Sequence, residues 1–143
     1  MKNENEIIAK IREFNRFYTN VIGLLDNHLL RSPYTLTEAR VLYEIYNTNE
    51  CTARQIKEKI SIDEGYLSRI IDRFVKNKLL LRKRSSNDAR SKILTLTTKG
   101  EAEFLKLDKS SQESIEVMLK EISETESEKL AGMMTDIMKI LSK

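Results

Sequence analysis

Between residues 64 and 92 the chain concentrates side chains that meet phosphates and base edges. Arg69 and Arg73 stand one helical turn apart, with Ser68 beside the first and Asp72 beside the second, and Gly65 and Tyr66 just ahead of them. Further on, Arg82, Lys83, Arg84, Arg90 and Lys92 stand against Asp88 alone, a net of +4 within eleven residues. A guanidinium bonds a guanine edge in a fork and neutralises phosphate, and a hydroxyl bonds either. This is chemistry of recognition rather than of covalent change. No glycine-rich phosphate loop, paired His and acid or nucleophile elbow accompanies it, so no enzyme and no cofactor are expected. One His and one Cys are too few for a structural zinc site or a disulfide within one chain.

These side chains need a helix and a hairpin to present them. Leu67, Ile70, Ile71, Phe74 and Val75 recur at spacings of three and four, which makes one apolar helix face. The opposite face carries Gly65, Ser68, Arg69, Asp72, Arg73 and Lys76. On DNA this helix would enter a major groove, with Gly65 permitting close approach and Tyr66 reaching a phosphate or a thymine methyl. An apolar run at Leu79–Leu81 leads into Arg82, Lys83 and Arg84, and a second strand follows at 92–96. The polar tip between them holds Ser86, Asn87, Asp88 and Arg90. Arg90 suits a narrow minor groove, where the potential is most negative. Asp88 is expected to pair with Arg84 across the hairpin and hold the tip in shape.

The supporting elements read as mainly helical. Residues 4–30 form a long helix with a stripe through Ile7, Ile11, Phe14, Tyr18, Val21, Leu25 and Leu29, which Pro33 stops. Thr35 and Glu38 have capping-box spacing and open a second helix, in which Leu36, Ala39, Val41, Leu42 and Ile45 face inward. Thr52 and Gln55 open a third helix, Ser61 and Glu64 the fourth, and Thr98 and Glu101 the one after the hairpin, with Ala102, Leu105, Ile115, Met118 and Leu119 as its apolar side. A fresh cap at Ser123–Glu126 starts a last helix over roughly 124–141. The third and fourth helices, joined by a short turn, make a helix-turn-helix. The terminal helices are too long and apolar to stand alone in water and read as a dimerisation layer, with an intramolecular bundle as the alternative.

Length and charge agree with this plan. A chain of 143 residues makes one domain, and one Pro with four Gly are too few for an all-β protein. From Thr52 to Lys99 there are 13 Lys and Arg against 5 Asp and Glu, whereas the remainder holds 12 against 17. A centre of +8 between acidic ends suggests a polyanion-binding surface on a different kind of support. No apolar run approaches a bilayer span and the N-terminus lacks the apolar core of a signal peptide, so a soluble cytoplasmic protein without membrane contact is expected.

The order of helices, recognition helix, basic wing and long helices resembles the MarR family of bacterial winged helix-turn-helix regulators. Asp88-Ala89-Arg90-Ser91-Lys92 followed by Leu94-Thr95-Leu96-Thr97-Thr98-Lys99-Gly100 is similar to that family's wing pattern, D-x-R-(x)n-L-x-L-T-x-x-G. Gly65-Tyr66-Leu67-Ser68-Arg69-Ile70-Ile71 is similar to the recognition helix of some members, and Leu36-Thr37-Glu38-Ala39-Arg40-Val41-Leu42 to the opening of the second helix. The resemblance implies a winged helix-turn-helix lobe over 35–100 and dimerisation helices at 4–30 and 101–143. It also implies an obligate homodimer on a near-palindromic operator in double-stranded DNA, more often a repressor, with DNA affinity controlled by a ligand or an oxidant. Members that sense peroxide carry a cysteine in the first helix, and here that helix has none. Cys51 instead precedes the third helix, where the family has a minimal strand, and is expected to be a small buried hydrophobe. A small aromatic or anionic effector would sit between lobe and helical layer, where His28, Tyr18 and Tyr43 are candidates. An architectural DNA-binding protein and a winged-helix protein-interaction module without nucleic acid are the competing functions.

Overall fold

A computed structural model describes residues 3–29, 32–85 and 91–142, the side chains of 24–29 excepted. Six helices and three short strands follow in the order α1 (Glu4–Leu29), α2 (Leu36–Asn47), β1 (Cys51–Thr52), α3 (Ala53–Ile60), α4 (Glu64–Lys76), β2 (Leu80–Arg84), β3 (Lys92–Leu96), α5 (Thr98–Leu119) and α6 (Glu124–Leu141). The mainly helical winged helix-turn-helix is therefore the observed architecture.

Local capping sets the helix starts. Thr35, Thr52 and Ser123 each accept from the backbone N–H three residues on, and Glu38, Gln55 and Glu126 return the bond to the cap backbone. Two starts differ from the sequence reading. Ser61 does not cap α4: it closes α3 in the left-handed region, at φ 52°, and Asp63 caps α4 by accepting from Tyr66 N. The start of α5 is capped by Thr97 rather than Thr98, because Thr97 Oγ1 accepts from Gly100 N at 3.0 Å.

The sheet is antiparallel with order β1-β3-β2. Cys51 lies opposite Leu94 on one side of β3, and the hairpin register runs from Leu80 opposite Leu96 to Arg84 opposite Lys92. Ser85 N donates to Ser91 O at 2.9 Å and extends the pairing to the base of the tip. One core lies beneath, built from Val41 and Leu42 of α2, Ile56 of α3, Leu67, Ile70, Ile71 and Phe74 of α4, Leu80 and Leu94 of the strands, and Phe104 and Leu107 of α5. Cys51 belongs to it at 1% exposure, as expected. Burial, followed by the charge of Glu44, pushes its thiol pKa up to about 11, which keeps it protonated and inert near neutrality.

The wing pattern also has a structural cause. Thr97 Oγ1 donates to Lys78 O at 2.6 Å while Thr97 N donates to Leu79 O at 3.0 Å, so the strand exit is bonded to the hairpin entry. Gly100 packs directly against that entry. A Cβ there would lie 2.9 Å from the Leu79 carbonyl carbon and closer still to its oxygen. Only glycine permits this approach of α5 to the hairpin base.

Outside the core the sequence reading of burial needs correcting. Leu36 is half exposed, and α5 turns Phe104, Leu107 and Ser114 inward while Leu105 and Ile115 stay exposed. Along α1, Ile7, Ile11 and Phe14 are about half exposed, and α6 has no buried residue. Among the described residues no helix is long and apolar enough to cross a membrane.

Candidate nucleic-acid interface

Two elements frame the site. α4 sinks Leu67, Ile70, Ile71 and Phe74 into the core, which leaves Gly65, Ser68, Arg69, Asp72 and Arg73 on its exposed side. Because its apolar stripe is continuous, the helix cannot rotate without exposing Phe74 and Ile70, so the polar face is fixed by the core. The hairpin stands beside it with Arg82, Lys83, Arg84 and Lys92 exposed. Between them runs a cleft of about 610 Å³, reached by Arg54 and Lys57 of α3, Ser68 of α4, Arg82 of β2 and Lys92 of β3. Three elements therefore direct cations into one concave surface, which Glu64 also lines.

The residues picked out on α4 do different jobs. Arg69 is exposed, its guanidinium carbon 6.0 Å from the centre of the Tyr66 ring, and it pairs with no acid among the described residues. The ring holds the side chain in a cation–π arrangement while leaving its donors open. Ser68 is exposed at the cleft. A Cβ at Gly65 would meet Asp63 Oδ2 at 3.3 Å, a tight contact with the α4 cap, and Arg69 Nη1 at 3.7 Å.

Asp72 and Arg73 are engaged by the protein itself. Asp72 Oδ1 pairs with Arg82 Nη2, tying α4 to β2. Arg73 Nη2 lies 2.9 Å from Glu38 Oε2 at the opening of α2. Their partners lie ten and thirty-five positions away in sequence, so helical spacing alone placed both residues on the groove face. Arg84 and Lys92 face each other in the hairpin register. Ser86, Asn87, Asp88 and Arg90, and with them the expected Asp88–Arg84 pair, lie outside the described residues.

The sequence reading overlooked Arg54 and Lys57. Their spacing of three on α3, opposite the buried Ile56, was the available signal. Lys57 Nζ lies 3.3 Å from Glu64 Oε2 and links α3 to the first turn of α4. Arg54 Nε lies 3.4 Å from Glu58 Oε1 on its own helix. Both pairs are largely exposed and cost little to open.

A second concavity lies on the other side of α4. It encloses about 630 Å³ between α2, α4 and α5, walled by Leu36, Tyr43, Tyr66, Phe104 and Leu107, with Arg40 at its edge. Tyr43 lines it, its ring 6.2 Å from that of Phe104. Tyr18 stacks on Phe14 along α1 at 5.5 Å, and the His28 side chain lies outside the described residues.

Residues 34–92, which contain the helix-turn-helix and the hairpin up to the first residue of β3, match the model of the MarR family. The chain is 32% identical over 80 residues to the HTH-type transcriptional regulator BilQ of Clostridium symbiosum, covering 56% of each chain. It is 26% identical over 120 residues to the HTH-type transcriptional regulator MhqR of Bacillus subtilis, covering 84% of this chain and 83% of that one. The chain thus spans little more than half the length of the first of these relatives. A mutant of E. coli MarR complexed with operator DNA has a similar structure, with a TM-score of 0.76 and 25% identity over 96% of this chain and 99% of that one. With α4 and most of the hairpin inside the matched segment, this chain resembles the MarR family over its helix-turn-helix lobe.

Proposed function

We propose that this protein is a sequence-specific DNA-binding transcriptional regulator that acts as a homodimer, in the sense of a repressor on a near-palindromic operator. The observation that carries the reading is the cleft between α4 and the hairpin that Arg54, Lys57, Arg82 and Lys92 line, with Ser68 at it and Arg69 exposed on the same helix. The matching E. coli structure holds operator DNA, and the two curated relatives are named as transcriptional regulators. In this reading α4 enters the major groove and Arg69 reads a base edge. Arg54, Lys57, Arg84 and Lys92 neutralise phosphates, and the hairpin tip with Ser86, Asn87, Asp88 and Arg90 meets the adjacent minor groove.

Dimerisation is supported by the exposed apolar side chains of the terminal helices. Ile7, Ile11 and Phe14 of α1 and Ile137, Met138 and Leu141 of α6 form more apolar surface than a monomer normally leaves in water. Two copies facing one side of a duplex would place their α4 helices about 34–36 Å apart, one helical turn of DNA. The aromatic cavity between α2, α4 and α5 would take the ring of a small aromatic effector against Tyr43, Tyr66 and Phe104, with Arg40, itself paired to Glu44, and Asp108 as charged groups of its lining. Because Tyr66 lies on α4, such a ligand would bear directly on the reading helix.

The test is selection of duplexes from a random-sequence pool, followed by gel shifts over a salt series with the selected and scrambled sequences. A regulator shows a large affinity gap between the two and a steep salt dependence. Arg69→Ala should weaken the selected duplex by about 1–3 kcal/mol and relax preference at one base position. Equal affinity for both duplexes would favour an architectural protein, and no binding to either would favour a protein-interaction module.

A further inference from the structure

Three consecutive residues of α4 leave the helix in three directions. Asp72 pairs with Arg82 of β2, Arg73 with Glu38 of α2, and the Phe74 ring meets the Tyr34 ring edge-on at 6.2 Å. Successive helical side chains are about 100° apart, so a single turn is held by the wing, α2 and the α1–α2 connection at once. Glu38 is the most enclosed of these polar groups, its side chain 8% exposed. One of its oxygens accepts from Thr35 N at 3.0 Å and completes the α2 capping box, while the other faces Arg73. The Tyr34 phenol is also bonded to Glu103 of α5, and its pKa is raised by burial first and then by the charges of Glu103 and Glu38. The reading half of α4, Gly65 to Arg69, projects from this clamped turn.

We propose that Glu38 and Arg73 are positioning residues for sequence reading, fixing the pose of α4 through the carboxylate that also caps α2, and that Arg73 is not a DNA ligand. The proposal rests on the DNA-reading function above. A carboxylate this enclosed has Arg73 as its cationic partner, and a guanidinium drawn onto phosphate would leave it unpaired. Arg69 presents the opposite case, with its donors open and only an aromatic ring beneath them.

Glu38→Gln separates the two roles of the carboxylate, because glutamine at the third helical position also completes a capping box but carries no charge for Arg73. Gel shifts would compare wild type, Glu38→Gln, Arg73→Ala and the double variant on selected and scrambled duplexes across a salt series. Positioning predicts that each single variant weakens the selected duplex about tenfold, with unchanged salt slope and scrambled-duplex affinity, and that the double variant is no worse than Arg73→Ala. A phosphate ligand predicts the reverse. Arg73→Ala then lowers the salt slope by about one and weakens both duplexes alike, while Glu38→Gln releases the guanidinium and tightens binding, which would overturn the proposal. Amide hydrogen exchange tests the clamp without DNA. Both single variants should speed exchange in the last turn of α4 and leave the first turn of α2 protected in Glu38→Gln, whereas unchanged exchange in α4 would also overturn it. Failure of the regulator reading is seen separately, as a wild type that does not distinguish the duplexes.

Discussion

The lobe from α2 to β3, closed by the first half of α5, and the terminal helices use apolar residues in opposite ways. In the lobe, Val41, Leu42, Ile70 and Leu80 are completely buried and Phe74 is 1% exposed. In α6, Met138 is 61% exposed and Leu141 77%. Both regions contain amphipathic helices, so the contrast is not one of helix type. It lies in whether the chain supplies a partner for the apolar stripe. The lobe completes its core from within, whereas the outer faces of α1 and α6 wait for another surface. The proposed function uses that division: the lobe would set the local contacts with DNA and the helical layer the distance between two copies.

The sharpest way to break the lobe is at its seam with α5. Gly100→Ala adds a methyl group where the Leu79 backbone already stands. The substitution would normally favour a helix by about 1 kcal/mol, yet here backbone must move. A net loss of about 3 kcal/mol is expected, at the upper end of ordinary overpacking. Chemical denaturation should show a lower midpoint at every protein concentration, since the defect is internal to one chain. A gain in stability would mean that the hairpin base does not lie against α5.

Breaking the terminal layer should look different. Met138→Glu places a carboxylate in the exposed stripe of α6, where a single chain tolerates it. In the proposed dimer it would be buried without a partner, at roughly 2 kcal/mol or more, a rise of about thirtyfold in the dissociation constant. Sedimentation should show monomer at concentrations where wild type is paired, and the lobe should keep its sheet and helix signals. Operator binding should fall while single-lobe, non-specific binding persists. A variant that remains dimeric would place the interface elsewhere.

How far the sequence could be read follows from the range of each interaction. The capping boxes at Thr35 and Thr52 and the cap at Ser123 are local, and all three hold. The box at Ser61 failed because the same spacing competes with a tighter alternative. Ser61 adopts the left-handed turn that ends α3, and Asp63, two residues on, supplies the cap. On α5 the periodicity was visible but its direction was not. The stripe through Leu105 and Ile115 and the one through Phe104 and Leu107 are both apolar, and only the packed lobe shows that the second faces inward. Polar residues are harder still. Nothing near Arg73 or Asp72 announces Glu38 or Arg82, so a helical face that reads as uniformly groove-directed divides into open donors and structural pairs. Gly100 was legible as part of a resemblance, while its physical reason, the Leu79 carbonyl, required the fold.

The smallest expected effect concerns pH and again belongs to the lobe. Cys51 titrates ordinarily near 9.0, and burial with the nearby Glu44 charge raises it to about 11 in the folded chain. Between these values the folded state keeps the thiol proton and the unfolded chain releases it. The native state then binds more protons, so stability is intact below pH 9 and falls as pH rises toward 11. At pH 10 the loss is about 1 kcal/mol. Tyr34 shifts in the same direction, through burial first and then Glu103 and Glu38, and adds to the loss above pH 10. Urea midpoints measured from pH 8 to 11 should decline in wild type and decline less in Cys51→Ala, which itself costs about 1 kcal/mol for the lost sulfur contact. The same protonated, enclosed thiol should resist alkylation at neutral pH unless the lobe unfolds. Rapid alkylation of the native protein would show that Cys51 is reachable, and would reopen an oxidant as the signal in place of a ligand in the aromatic cavity.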